Sequence, residues 1–343
     1  MSYSHLSYLL KEEIMFIFTR AVLFFSLTLL CINSSFAAPP LGFSQAKIYA
    51  KKYVYFDQNS QGVLGTTYCG CDWSWLGKSG GRTDLDSCGY KIRSPQSKGM
   101  ISRAQRTEWE HVTTAYSLGN QRQCWQKGGR KNCNATDAVF NAMEANLHNL
   151  TPIIGEVNAD RSNYQMGVVS NSKNGMYGQC QSKVDFKQRT FEPRNEAKGL
   201  VARIHFYMHD RYSLSMSHQQ QKLFMAWNKQ NPVTAWELER DRRIAKIMGH
   251  NNGFVTGERT WTLGHKSSGD GVLDAESMRE INRKIVQSKA ANDSTFIHGN
   301  RNSKIYHLFD CPSYNAMKSS NIINFKTEQE AQEKGFRKAK NCP

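Results

Sequence analysis

Apolar and polar positions change their period several times along this 343-residue chain, and each change marks an element. Arg20 precedes a mostly apolar run from Ala21 to Ile32, and the small-residue exit Ser35-Phe36-Ala37 follows. A charged start, an apolar middle of about a dozen residues and a small-x-small site read as a secretory signal peptide, 1–37, cut after Ala37. The run is shorter than the roughly 20 residues a spanning helix needs. Lys11, Glu12 and Glu13 suit no leader, so Met15 reads as the true start, and bulky Leu30 argues against a lipoprotein at Cys31. Residues 38–66 predict a short helix capped by Ser44, then the aromatic segment Tyr53-Val54-Tyr55-Phe56. Residues 67–135 have little helical period and many Gly, Cys and turn residues, which predicts short strands and long pinned loops. Val139, Phe140, Met143 and Leu147 share one face of a helix over 136–147, with Pro152 beyond it. Leu200, Val201, Ile204, Tyr207 and Met208 form a second helical stripe. Leu223, Phe224 and Trp227 form a third, ended by Asn231-Pro232. Thr234-Ala235-Trp236-Glu237 is a capping box that opens a fourth, which runs to Gly249.

The pattern fades over 262–295, which is polar and reads as a linker with a helix at 275–286. It returns in the tail, with short strands at Lys304–Leu308 and Ile322–Phe325 and a small helix from Thr327 to Gly335. Helices beside a loop-rich β region make the fold class α+β. The domains read as 38–261, the linker, and a small unit over 296–343. No internal repeat is present.

Charge narrows the partners. The formal net charge is +16, and the leader carries equal numbers of acids and bases, so the mature chain keeps it. An exported protein this basic suits a polyanion, nucleic acid before anionic lipid or cell-wall polymer. Of nine cysteines, Cys31 leaves with the leader. The remaining even set, Cys69, Cys71, Cys88, Cys124, Cys133, Cys180, Cys311 and Cys342, points to disulfides in an oxidising compartment. Neighbouring Cys69 and Cys71 each call for a distant partner, and spacing chooses no connectivity.

The densest chemistry is Arg106-Thr107-Glu108-Trp109-Glu110-His111-Val112. A carboxylate beside an imidazole can pair a metal ligand with a proton acceptor. Downstream, Gly128-Gly129-Arg130-Lys131-Asn132-Cys133 reads as a cationic turn pinned by a cysteine, where a guanidinium suits a phosphate oxygen. Glu144 to Leu150 and Gly155 to Arg161 add acids, carboxamides and imidazoles close to apolar packing positions.

These motifs, in this order, resemble the endonuclease I family of periplasmic and secreted nucleases. The likeness rests on Tyr68-Cys69-Gly70-Cys71-Asp72-Trp73, Asp86-Ser87-Cys88-Gly89-Tyr90, Glu108-Trp109-Glu110-His111-Val112, Arg122-Gln123-Cys124-Trp125, Gly128 to Cys133, His148-Asn149-Leu150, Gly155-Glu156-Val157-Asn158, Tyr177-Gly178-Gln179-Cys180 and Trp236 to Asp241. It covers about 44–260. The resemblance implies a ββα-metal (His-metal finger) core with one Mg2+, for which Ca2+ or Mn2+ can substitute. It implies Glu110 and Asn158 as metal ligands, His111 as general base, Arg130 as the cation on the phosphoryl group and Glu144 as a supporting residue that orients an active-site group. It also implies cleavage of DNA and RNA without sequence preference to 5′-phosphate products, by a monomer that is periplasmic or secreted and not membrane-bound once the leader is removed. Many members carry a Cys where Leu238 stands, so three disulfides are expected in the core rather than four. Adjacent strand residues face opposite ways, so Glu110 and His111 can serve one site only at a strand end, at a distortion, or from two sides of the backbone.

The tail, from about Phe296, resembles the small metal-binding domain of Ada, on Lys304-Ile305-Tyr306-His307, Cys311-Pro312-Ser313-Tyr314 and Gly335 to Cys342. With His307 and Ala339 at two of four ligand positions, a Cys311–Cys342 disulfide is expected there rather than zinc. His205 and His209, four apart on a helix, read as packing residues, and so do Trp73, Trp75, Trp125 and Tyr177, although each type could bind a metal or stack a base. The rival to an enzyme is a basic module that binds nucleic acid without cutting it.

Overall fold

The computed structural model describes residues 39–277, 280 and 297–342, apart from 60–63, 171–174, 309–310 and 312. The leader lies outside them, as do 278–279 and 281–286 of the helix expected near 275. Chain order is α1 (Phe43–Tyr49), a π-helical turn (Ala50–Val54), β1 (Trp73–Leu76), β2 (Gly80–Thr83), α2 (Lys98–Ala104), β3 (Arg106–His111), α3 (Ala115–Gly119), α4 (Gln123–Gln126), α5 (Gly129–Thr136), α6 (Ala138–Glu144), β4 (Leu150–Ile154) and α7 (Gly155–Arg161). Then come β5 (Gln165–Met166), β6 (Lys183–Asp185), β7 (Thr190–Glu192), α8 (Asn195–Arg211), α9 (His218–Gln230), α10 (Ala235–Met248) and α11 (Gly253–Thr256). The tail holds β8 (Ile297–Asn300), β9 (Ile305–His307), β10 (Ile322–Phe325), α12 (Glu328–Glu333) and β11 (Arg337–Lys338). The class is α+β, as the pattern predicts.

Four local expectations need correction. Residues 67–135, expected as short strands and loops, also carry the short helices α2 to α5. Ser44 lies inside α1, whose N-cap is Gly42 with no side-chain cap. Gly128 to Cys133 is not an open turn, because Arg130 to Cys133 belong to α5. The helix expected over 136–147 starts at Ala138, since Asp137 caps the Phe140 N–H and holds Arg122 at 2.7 Å. Asp137 has extended backbone, which separates α5 from α6.

β1 to β4 form one antiparallel sheet in sequence order. β4 is an edge strand, so Pro152 costs no ladder bond there, and its carbonyl accepts from Thr67 N–H at 2.8 Å. β2 pairs with β3 only at Arg106 and Thr107, whereas β4 follows β3 to His111. Glu108 to His111 therefore have one open edge. Neighbouring residues of the sheet and of α7 belong to two apolar clusters. Trp109 packs with Ala46, Tyr55, Leu150 and Ile244, beneath α1 and α10. Ile153, Ile154 and Val157 join the larger cluster that also takes in α8 and α9.

Bridges join Cys69 to Cys180, Cys71 to Cys88 and Cys124 to Cys133, three in the core, and Cys311 to Cys342 in the tail. Each native bridge contributes about 2–4 kcal/mol. Residues 262–277, expected within a linker, pack on α8. Trp261 stacks on Phe206 at 4.9 Å and His265 reaches Asp210 at 2.7 Å. Ala275 joins the main core, and 270–277 is helical. The tail has its own sheet, ordered β10-β8-β9-β11, and its own cluster of Ile297, Tyr306, Phe325, Ala331 and Phe336.

Among the described residues three arginines are almost fully buried: Arg161, Arg203 and Arg240. Arg240 ties α10 to Tyr55 and to the turn that leads into β4, donating to Tyr55 Oη at 2.6 Å and to the carbonyls of Leu147, His148 and Leu150 at 3.2, 2.8 and 3.2 Å. Arg240→Met should keep the volume but strand those acceptors, at a cost of about 3 kcal/mol. The thermal midpoint should fall by about 6–12 °C. A midpoint unchanged from the parent would show that the guanidinium is dispensable.

Candidate active site

The open edge of β3 borders a cavity of about 530 Å3 whose walls include Phe43, Glu108, Glu110, His111, Arg130, Asn158 and Arg161. Glu110, His111, Arg130 and Asn158, singled out in the sequence, all line it, and Glu144 contacts His111 and Arg130. Glu110 and His111 meet there because His111 is the last residue of β3 and the β2 side of both is unpaired. The chain beyond is held by Asn149, which accepts from Val112 N–H through its carbonyl and exchanges side-chain bonds with Thr113 at 2.8 and 2.9 Å. That is the structural content of His148-Asn149-Leu150.

Glu110 is buried, with Oε1 accepting from Tyr68 Oη at 3.2 Å and from Arg161 at 3.1 Å. Both donors meet the same oxygen, so Oε2 remains for another partner. Burial raises its pKa, against the pull of Arg161. Asn158 donates Nδ2 to Glu108 Oε2 at 2.9 Å, which turns its Oδ1 away. Glu108 is gripped by Arg103 at 2.6 Å and Arg106 at 3.2 Å. Gly155 permits this approach, since a Cβ there would meet Arg103 O at 2.5 Å and Glu108 Oε1 at 2.7 Å. Two oxygens without a partner among the described residues, one from a carboxylate and one from a carboxamide, suit a hard divalent cation that keeps most of its waters.

His111 packs on the ring of Phe43, with centroids 4.5 Å apart. Its Nε2 lies 2.9 Å from the Glu144 carbonyl, which can only accept. Nε2 therefore carries the proton and Nδ1 the lone pair. Burial, with Arg130, Arg161 and Lys47 nearby, lowers its pKa to about 4, so the ring is neutral at physiological pH. Arg130 is nearly half exposed, but its Nε is anchored at 2.5 Å to the buried Glu144 carboxylate. Arg130 also lies 5.6 Å over the Phe43 ring. A neutral base, two oxygen donors and an oriented cation around one cavity can activate water, hold a metal and meet a phosphate.

Sequence reasoning does not assign Tyr68, Arg161 or Phe43 to this site. The signal for Arg161 is present, since it follows Asn158 by three residues on one short helix. Phe43 carries none. Trp73 and Tyr177 are buried, and none of Trp73, Trp75, Trp125 and Tyr177 lines the cavity. His205 and His209 are buried in α8, with no third Cys, His or carboxylate clustered on them among the described residues.

Strands β3 and β4 followed by α7, with these groups at their edge, define a ββα-metal nuclease core. The family model described as endonuclease I matches residues 42–258, and the chain belongs to that family, whose members depend on a metal ion. Residues 280–343 match the metal-binding domain of Ada. An endonuclease-1 of Buchnera aphidicola subsp. Baizongia pistaciae is 48% identical over 192 residues, 56% of this chain and 76% of that protein. An extracellular deoxyribonuclease of Aeromonas hydrophila is 49% identical over 191 residues, 55% of this chain and 81% of its own. A periplasmic deoxyribonuclease of the same organism is 48% identical over 191 residues, 55% and 77% of the two chains.

If Glu108 orients Asn158, Glu108→Ala should weaken divalent-ion binding about 10–100-fold, read by calorimetry on the metal-free protein. Glu239→Ala, at an exposed ion pair with Arg242, should leave it unchanged. Equal affinity in the two variants would remove Glu108 from the site.

Proposed function

We propose that the protein is an exported, sequence-nonspecific endonuclease that hydrolyses phosphodiester bonds of DNA and RNA with one Mg2+. The carrying observation is the convergence of Glu110, His111, Arg130 and Asn158 on one cavity, in a chain of the endonuclease I family. Glu110 Oε2 and Asn158 Oδ1 would hold the ion. When bound, it supplies positive charge to the phosphate and to the departing oxygen. His111 Nδ1 takes a proton from the attacking water, while Nε2–H stays on the Glu144 carbonyl and keeps the ring aimed. Arg130, steadied by Glu144, meets a non-bridging phosphate oxygen as charge builds. In-line attack opposite the 3′ oxygen breaks the P–O3′ bond, and the departing oxyanion takes a proton from solvent, which leaves a 3′-hydroxyl and a 5′-phosphate. Backbone contacts carry no base information, which supports nonspecific cutting. The net charge of +16 adds long-range attraction to any polyanion.

Relatives named extracellular and periplasmic support a place outside the cytoplasm. No described helix is long and apolar enough to cross a membrane. The nuclease unit spans 38–261 with 262–277 packed on it, and 296–343 is a separate small unit in a monomeric protein. His307 lies beside Cys311 and Cys342, with ligand atoms within 4.8 Å of one another. In an oxidising compartment we assign that cluster to the disulfide rather than to zinc.

Supercoiled plasmid should be nicked and then degraded in Mg2+, and EDTA should stop it. His111→Ala should lower the rate by at least about a hundredfold while DNA binding persists. Binding without nicking in the parent protein would favour the rival reading of a basic adhesion or uptake module. Full activity of His111→Ala would remove that residue from the chemistry.

A further inference from the structure

Helix α1 presents two side chains to the active cavity, Phe43 and Lys47. They are one helical turn apart and so share a face, while Ala46 turns inward and packs in the cluster that holds Trp109. The Lys47 ammonium lies 4.9 Å from the centre of the Phe43 ring. The same ring packs on His111 at 4.5 Å and carries the Arg130 guanidinium at 5.6 Å. One phenyl ring therefore gathers the base and two cations around itself.

The charges of the cavity wall are unevenly matched. Glu108 is paired with Arg103 and Arg106, Glu110 with Arg161, and Arg130 with Glu144. Lys47 has no ion pair or hydrogen bond among the described residues. Its side chain is half-buried, yet Nζ is not sealed from solvent. An ammonium kept beside a guanidinium, with no acid of its own, leaves a place for an anion. In the chemistry above the scissile phosphate is already met by the ion and Arg130. A hydrated ion takes about 30 Å3 for each of its waters, so a cavity of about 530 Å3 has room for more of the strand than the scissile group. We propose that Lys47 holds the phosphate next to the scissile one, so that each cut engages two consecutive phosphates of a strand. The proposal rests on the nuclease reading and deepens it. A phosphate contact carries no base identity, so it lengthens the shortest good substrate without adding sequence preference. A linkage with no phosphate beyond it on the Lys47 side is cut slowly.

The test uses an end-labelled single-stranded DNA in which one linkage is an uncharged methylphosphonate, cut in Mg2+ and read by product length. In the parent, cutting should fall about tenfold at one linkage adjoining the neutral one, always on the same side. Moving the methylphosphonate along the strand should move the dip with it. Lys47→Gln, which removes the charge and keeps a polar chain, should cut every linkage about tenfold more slowly, and the neutral linkage should then cause no further loss. Lys47→Arg should restore both the rate and the dip. A dip of the parent's depth in Lys47→Gln, or an unchanged rate on the all-phosphate strand, would remove Lys47 from the contact. Loss of all cutting in a Lys47→Gln protein that keeps the parent's thermal midpoint would put the ammonium on the reacting phosphate and overturn the neighbouring one. Equal cutting on the two sides of the neutral linkage by the parent would overturn the second phosphate contact and leave the nuclease reading intact. No cutting of the all-phosphate strand by the parent would overturn the nuclease reading itself.

Discussion

The site depends on one buried ion pair. Glu110 is almost fully out of water, where an unpaired carboxylate costs several kcal/mol. Arg161, from the last turn of α7, neutralises it at 3.1 Å. The same guanidinium donates to the carbonyls of His111 at 3.3 Å and Val112 at 2.5 Å. It thus ends the strand and aims the carboxylate in one contact. Tyr68 contributes a second donor to the same oxygen, brought there by a segment bridged to Cys180. A cavity with a free carboxylate oxygen follows from that arrangement.

For Arg161 to be fixed, α7 must be fixed, and its other faces are tied to the irregular loops. Glu156 accepts from Tyr90 Oη at 2.7 Å and from the N–H groups of Arg93 and Ser94 at 3.1 and 3.0 Å. Asp160 takes both arms of Arg93 at 2.6 Å and the Tyr177 hydroxyl at 2.8 Å. Loops without secondary structure need such acceptors for their buried backbone donors. The bridges Cys71–Cys88 and Cys69–Cys180 hold those loops close enough for the acids to serve. The cysteines and the acidic motif on α7 therefore form one device, although they are far apart in sequence.

Short-range and long-range constraints differ in how far the bare chain discloses them. Helices α8 to α10 are legible because their apolar stripes repeat at helical period and their caps are short-range, as at Thr234 and Gly249. The break at Asp137 is hidden, because a capping Asp in a helical stretch looks like a polar surface position until its partner Arg122 is seen. Glu110, His111, Arg130 and Asn158 are legible through motif order. Phe43 is not, because it reaches His111 only through the tertiary placement of α1. Residues 262–277 look like a linker by composition, yet Asp210, buried at the end of α8, gathers His265, Ser268 and Arg259 onto itself. Polar sequence there means contacts with a buried acid, not freedom.

Arg130 and Arg161 border one cavity with the same charge and opposite tasks, and burial separates them. Arg161 has spent its donors on protein oxygens, save Nε, and its charge is cancelled by Glu110, so it shapes the site and repels a cation little. Arg130 meets Glu144 through Nε, and its side chain is nearly half exposed. Anchoring an otherwise mobile guanidinium removes part of the entropy it would lose on meeting phosphate. Because the anchor is a buried carboxylate, the pair resists screening better than a surface pair would. The same Glu144 offers its backbone carbonyl to His111 Nε2. One residue at the end of α6 thus sets both the tautomer of His111 and the direction of Arg130, and a shift of that helix end would disturb the two together.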